Sequence, residues 1–149
     1  MHYLQSQPIR TTILAILSAL GASITHALGG WDITLQVLIS FLAADYLTGL
    51  VLAAVFQNSP KTSGGALSSA AGFRGIVRKC AVLLLVLLAA LLDWATGSAY
   101  IRTTLCFFFI ANEGLSILEN LGLMGVPYPR FLRNMLEAIR QSSDEGEDK

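Results

Sequence analysis

Charged residues are scarce in this chain of 149 residues, because Asp, Glu, Lys and Arg together make up only 13% of it. A soluble domain usually carries about 25% charged residues. Hydrophobic residues account for 54% of the chain, and the mean hydropathy is +0.60. This composition predicts a membrane protein rather than a soluble domain.

The chain also lacks an excess of positive charge, since 10 basic residues balance 10 acidic ones. Proteins that bind nucleic acid usually present a basic surface, so nucleic acid is not an expected partner. The two cysteines, Cys80 and Cys106, lie in apolar stretches and form neither a CxxC pair nor a zinc pattern. We interpret both as buried thiols and expect no metal and no cofactor.

Motifs of the common enzyme classes are missing as well, because HExxH, GxSxG, a Walker loop and GxGxxG are all absent. The only histidines are His2 and His26, and neither lies near the serines in the middle of the chain. A serine nucleophile needs a neighbouring base. We therefore do not expect an enzyme.

Long apolar runs are what the sequence has instead. A bilayer core of about 30 Å is crossed by about 20 mostly apolar helical residues. Four stretches approach this length, at residues 11–28, 33–56, 80–95 and 100–118. The first is the least apolar, and a signal peptide is the alternative to a retained helix there.

The distribution of basic residues predicts the orientation of these spans. The connection between the second and third runs carries four basic residues and no acid: Lys61, Arg74, Arg78 and Lys79. The short connections at 29–32 and 96–99 carry no Lys or Arg. The positive-inside rule then places both termini and the basic connection in the cytoplasm, which makes two transmembrane hairpins.

The C-terminal part differs from the transmembrane domain predicted over residues 1–126. After Pro127 and Pro129, apolar and charged residues alternate with helical spacing, which predicts a cytoplasmic amphipathic helix over 127–141. Such a helix either lies on the inner membrane surface or packs against a partner or another copy. Residues 142–149 are predicted to form a disordered acidic tail.

Two carboxylates, Asp45 and Glu113, fall near the middle of the second and fourth spans. A charge at that depth is costly and usually faces protein or water. Small and polar residues continue the same helix faces, and we predict a pore or oligomer interface at Asp45, Thr48, Gly49, Asn112, Glu113, Ser116, Glu119 and Asn120. A protonated Asp45 that only bridges neighbouring helices is the alternative.

Other charged residues of the spans have simpler interpretations. Asp93 and Arg102 flank the short connection between the third and fourth runs and are expected to pair across it. The four basic residues of the longer connection are interpreted as topology signals.

Three motifs resemble the small phage-lysis and toxin-secretion holins (TcdE-like holins) over about residues 33–139. They are "DYLTGLVLA", "SSAAGFRGIVRK" and "FFFIANEGLSILENLGLMGVPYPRFL". The matching positions are Asp45, Tyr46, Thr48, Gly49, Gly72, Phe73, Gly75, Lys79, Asn112, Glu113, Ser116, Glu119, Asn120 and Pro127. The first apolar run lies outside the similar region, and the acidic tail departs from the basic tail common in holins.

The resemblance implies a protein that oligomerises in the bacterial inner membrane and opens large lesions. These lesions would release an endolysin, which lyses the host cell, or a protein toxin. The implied partners are the lipid bilayer, further copies of the chain, an endolysin or toxin, and an antiholin, and no catalytic residue is implied. A small ion or solute channel and a membrane scaffold remain the alternative functions.

Overall fold

The structure is a computed structural model that describes residues 7–62 and 64–145, and it is all-helical over those residues. The helices are α1 (Gln7–Ala27), α2 (Ile33–Val51), α3 (Ser69–Thr96), α4 (Ile101–Leu123) and α5 (Arg130–Glu145). The π-helical segment Leu52–Phe56 continues α2. Four helices are long and apolar enough to cross a membrane, which confirms the predicted class and number of spans.

Several helices are longer than the apolar runs that predicted them. α3 begins at Ser69 rather than at Cys80, because the Ala, Arg and Lys residues in between favour a helix. α4 continues to Leu123 and ends before the prolines. α5 continues to Glu145, so residues 142–145 of the expected tail are helical. Residues 146–149 lie outside the described residues.

Arg102 joins the α1–α2 turn to the start of α4. Its guanidinium donates to the Asp32 carboxylate, with N–O distances of 2.7 and 3.1 Å, and to the Leu28 carbonyl. Asp32 also caps α2 by accepting from the Leu35 amide at 2.8 Å. Gly29 is required here, because its φ is +89° and a Cβ would lie 2.7 Å from Arg102 Cδ.

The predicted side-chain pair between Asp93 and Arg102 is wrong. The Asp93 carboxylate accepts instead from the Ser98 hydroxyl at 2.7 Å and from the amides of Ile101 and Arg102 at 3.1 and 3.0 Å. These amides belong to the first turn of α4, where backbone donors have no partner within the helix. Asp93 therefore caps α4, while the Arg102 side chain is engaged by Asp32.

The core is formed by apolar faces of α2, α3 and α4. Its buried members are Leu28, Leu35, Leu38, Leu42, Val82, Val86, Cys106 and Ile110. The prediction of a buried thiol holds for Cys106, whereas Cys80 is exposed because it lies on another face of α3. α1 stands apart from this core, and its residues from Ile9 to Ile24 are exposed. It approaches α3 at His26 and Trp94, whose ring centroids are 5.7 Å apart.

α5 runs back along α4 instead of leaving the bundle. The two helices pack closely at Gly114, where a Cβ would lie 2.9 Å from Leu136 of α5 and 3.1 Å from Phe41 of α2. Gly114 lies about 14 Å before the end of α4 at Leu123. The amphipathic helix thus packs on a span of its own chain, which neither interpretation of its sequence anticipated.

Arg102→Met should lower the free energy of unfolding by about 2–3 kcal/mol. Loss of one partner from a buried ion pair costs about 3–5 kcal/mol, and Asp32 is 46% exposed. Denaturation of the protein in uncharged detergent measures the change. Arg133→Met is the control, since it breaks the exposed Arg133–Glu137 pair and should change little. Equal effects of the two substitutions would contradict a structural role for Arg102.

The same ion pair predicts a pH dependence. The Arg102 hydrogen bond lowers the pKa of Asp32 below its ordinary value of 3.8. A lowered carboxyl pKa stabilises the folded protein above the unfolded pKa, and this stabilisation is lost as pH falls through the folded pKa. Between pH 6 and pH 3, the free energy of unfolding should therefore fall by more in the wild type than in Arg102→Met.

Gly114→Leu should separate α5 from α4, because the added side chain would occupy the space of Leu136 and Phe41. Overpacking of this kind costs about 1–3 kcal/mol. Limited proteolysis in detergent should then cut the chain faster between α4 and α5 than in the wild type. Gly21→Leu is the control, because a Cβ on Gly21 meets no atom within 4 Å. Equal rates of proteolysis in the two variants would contradict a packing role for Gly114.

Candidate functional site

The ammonium group of Lys79 lies between two carboxylates from other helices. It donates to Asp45 of α2 at 2.6 Å and also to Glu113 of α4. The Asp45 and Glu113 side chains are 8% and 5% exposed, and the Lys79 side chain is 15% exposed. One cation thus joins α2, α3 and α4.

The two carboxylates lie at matching depths in the bundle. Asp45 and Glu113 are each about 18 Å along their helices from Ile33 and Ile101, which lie at the same end. The Lys79 backbone is about 26 Å from the end of α3 at that same side. The flexible lysine side chain therefore reaches toward the middle of the bundle, as long cationic side chains can.

Asn120 connects the ion pair to a second set of hydrogen bonds. Its amide nitrogen donates to Asp45 Oδ1 at 3.2 Å and to the Thr48 hydroxyl at 3.0 Å. Thr48 in turn donates to the backbone carbonyl of Asp45 at 3.1 Å. We call Asp45, Lys79, Glu113 and Asn120 the Lys79 cluster. Throughout the described residues, every buried side-chain nitrogen and oxygen has a hydrogen-bond partner.

The structure brings together most of the residues predicted from the two polar helix faces. Asn120 donates to Asp45 and Thr48, and the Lys79 ammonium connects Glu113 to Asp45. Gly49 lies beside Asn120, since a Cβ on it would be 3.7 Å from the Asn120 amide nitrogen. Ser116 lines the adjacent cavity, together with the exposed Asn112 and Glu119. Their assignment to a pore or an oligomer interface stays a prediction.

Lys79 is the residue that the sequence analysis assigned differently, as a topology signal. The missed signal is its register: Lys79 shares one face of α3 with Val82, Val86 and Asp93, which are all buried. Arg74 and Arg78 are exposed. A basic residue in register with a buried stripe predicts a buried cation, and a buried cation needs an anionic partner.

A cavity of about 520 Å³ lies beside the Lys79 cluster, between α2, α3, α4 and the segment that precedes α3. All four predicted topology residues line it: Lys61, Arg74, Arg78 and Lys79. Gly75 allows Tyr46 to approach α3, since a Cβ there would lie 3.3 Å from the Tyr46 ring. We call this space the basic cavity.

A second cavity, of about 330 Å³, lies between α4 and α5. The residues from α5 are Arg133, Glu137, Arg140 and Gln141. Asn112, Ser116 and Glu119 of α4 line both cavities. A continuous band of polar side chains therefore runs from the Lys79 cluster across α4 to the charged face of α5.

The chemistry of this band is that of buried charge and hydrogen bonding. Among the described residues, no group of three or more His, Cys, Asp or Glu is arranged to hold a metal ion. Lys79 is held by two carboxylates, which keeps a cation and two anions out of contact with lipid. The arrangement can join helices while it is dry, and its groups would be hydrated if the helices separated.

Comparison with known proteins gives one family and several relatives. The family described as the bacteriophage holin family matches residues 22–141. An uncharacterized protein of Clostridium perfringens is 36% identical over 127 residues, covering 84% of this chain and 88% of the relative. An uncharacterized protein of Listeria monocytogenes is 37% identical over 130 residues, covering 87% of each.

A relative from a phage carries a more specific name. The probable holin of Bacillus phage phi105 is 31% identical over 116 residues, covering 77% of this chain and 80% of the relative. No solved structure matches the chain.

Lys79→Met should lower the free energy of unfolding by about 3–5 kcal/mol, because it leaves two buried carboxylates without their cation. Adding Asp45→Asn and Glu113→Gln to Lys79→Met should restore most of the lost stability, because the two carboxylates become neutral. Denaturation in uncharged detergent measures each variant. The control is Arg78→Met, which removes an exposed cation one residue away. A Lys79→Met protein as stable as Arg78→Met would show that the cluster contributes nothing.

Proposed function

Because the chain belongs to the bacteriophage holin family, a family of membrane proteins, we propose that it oligomerises in a bacterial inner membrane and opens lesions that release an endolysin. The family match confirms the resemblance found in its motifs. The four apolar helices make the chain a multi-pass membrane protein. Beyond the family and the membrane spans, we propose that the chain assembles into oligomers, forms lesions, resides in the inner membrane and releases an endolysin.

The observation that carries the proposal is the position of α5. Its charged face, with Arg133, Glu137 and Arg140, lies against the side of α4 rather than beyond its end. Leu136 packs at Gly114, well inside the span. Charged side chains at such a depth face a protein interior or water, because hydrocarbon cannot hydrate them. The Arg133 and Glu137 side chains remain 55% and 43% exposed in one copy, so a single chain surrounded by lipid would leave part of this face against hydrocarbon.

Several copies arranged in a ring solve this problem. The charged face of α5 would then meet either the neighbouring copy or a water-filled space enclosed by the ring. The surface of α1 suits lipid, because α1 exposes apolar side chains along its length. A chain with one polar and one apolar side is the shape that a lesion wall requires.

The Lys79 cluster supplies the element that would hold the closed arrangement. While Asp45, Lys79 and Glu113 remain paired, α2, α3 and α4 stay together and no charge meets lipid. When these helices separate, the same groups would line the lesion and be hydrated. Membrane potential acts on such a change, since moving one charge across 100 mV is worth about 2.3 kcal/mol.

The proposed orientation rests on the distribution of basic residues, and the proposed cargo rests on the family. The positive-inside rule favours a cytoplasmic N-terminus and a cytoplasmic basic connection, with α1–α2 and α3–α4 as two hairpins. α5 would then begin at the cytoplasmic end of α4 and run back along it, so the cytoplasmic position predicted for this helix from the sequence is not part of the proposal. A cytoplasmic endolysin is the proposed cargo. A toxin is less well supported, because the relatives named above carry no toxin in their names. An antiholin that delays opening would bind the same polar faces.

A small cation channel is the second candidate, and the mid-span position of Asp45 and Glu113 favours it. Carboxylates at mid-span are a common feature of ion pathways. The two candidates differ in the size of what they pass. A channel built around Asp45 and Glu113 would conduct ions within one bundle, whereas a lesion must admit a folded enzyme.

Expression in a bacterial host that also makes a cytoplasmic endolysin should cause abrupt lysis after a delay. Turbidity, membrane potential and the release of a folded cytoplasmic enzyme are followed together. In the matched culture without endolysin, the potential should collapse and turbidity should not fall. Depolarisation without release of any folded enzyme would contradict the lesion and support a small channel. No change in permeability would favour a membrane scaffold.

A further inference from the structure

Three cationic side chains of the basic cavity have no carboxylate within ion-pair distance among the described residues. They are Lys61, Arg74 and Arg78. Lys79, the fourth cation of the cavity, is already held by Asp45 and Glu113. The basic cavity therefore has a deep part in which two carboxylates share one cation, and an outer part whose cations have no ion-pair partner in the described part of the chain.

The outer cations all line the same cavity. Arg74 and Arg78 are one helical turn apart on α3, an arrangement in which like charges repel. Lys61 folds over from the loop, since its ammonium would lie 3.9 Å from a Cβ on Gly49. An anion between these three groups would relieve the repulsion and receive several charge-assisted hydrogen bonds.

The acidic residues of the cavity do not cancel the positive charge of its lining. The lining contains four basic and three acidic side chains. Two of the acids are Asp45 and Glu113, which share Lys79. The third is Glu119, on α4, which also lines the cavity between α4 and α5. Four cations and three carboxylates leave the lining with a net charge of +1, and the amino-terminal turn of α3 adds a positive helix dipole.

Apolar residues complete the wall of the cavity. Leu50, Ala53 and Leu67 line it, and Leu50 and Leu67 are 37% and 56% exposed. The exposed face of α3 continues with Phe73 and Val77. A ligand that fits both parts has an anionic head and an apolar tail. The volume of about 520 Å³ lies within the range of small-molecule sites.

We propose that the basic cavity binds the headgroup of an anionic phospholipid from the cytoplasmic leaflet. The phosphate would lie between Lys61, Arg74 and Arg78, and the acyl chains would extend along the apolar surfaces of α2 and α3. The positive-inside orientation places this end of the bundle at the cytoplasmic headgroups. The cytoplasmic leaflet is the source, because it combines anionic headgroups with the apolar tails that the exposed leucines require.

The proposal is tested on the full-length protein in uncharged detergent. Phosphatidylglycerol, phosphatidylcholine or inorganic phosphate is added, and the thermal unfolding midpoint is followed against ligand concentration. Phosphatidylglycerol should raise the midpoint in a saturable way, while the other two ligands should not at the same concentration. Equal stabilisation by phosphatidylcholine would exclude recognition of the anionic head. Equal stabilisation by inorganic phosphate would exclude lipid as the source.

Substitutions locate the site. Arg74→Gln and Arg78→Gln should each raise the half-saturating lipid concentration about fivefold. Lys61→Gln should do the same from the loop, so the test does not depend on α3 alone. Arg130→Gln is the control, since this exposed arginine of α5 lines neither cavity. Retention of wild-type affinity by the three cavity variants, or an equal loss in the control, would overturn the proposal.

Discussion

The rest of this structure depends on the ion pairing of Lys79 with Asp45 and Glu113. Each of these charges alone would be strongly unfavourable in the middle of an apolar helix bundle. Because one ammonium reaches both carboxylates, the three groups are compatible with burial only while α2, α3 and α4 stay in register. Asn120 adds a neutral hydrogen bond to the same point and limits the sliding of α4 against α2.

The two ends of the bundle are organised around different groups. At the end that holds the short turns, Arg102 binds Asp32 while Asp93 caps α4, so the backbone of both turns is held by side chains. At the other end, cations face an open cavity and α5 folds back along α4. The backbone of the first end is therefore held by side-chain contacts, whereas the second end has exposed charged groups without such partners within residues 7–62 and 64–145.

This difference between the two ends of the bundle bears on the lesion proposed for the chain. The proposed lesion would require a chain that is stable in lipid as a compact unit and that can also present polar surface to water. The Lys79 cluster and the charged face of α5, which one continuous polar band connects across α4, would supply that surface. An anionic headgroup in the basic cavity would lie at the margin of that band, next to Lys79. Lipid composition would thereby influence how readily the closed unit opens.

The sequence by itself determined the helical class, the number of apolar spans, the amphipathic helix and the polar faces of α2 and α4. Each of these rests on composition and periodicity along the chain, which are local properties. Only the tertiary structure decided that Lys79 pairs with Asp45 and Glu113, that Arg102 pairs with Asp32, and that α5 packs on α4. These contacts join residues on different helices, and helix crossing and depth select among the available partners. Hydropathy and spacing do not encode that choice.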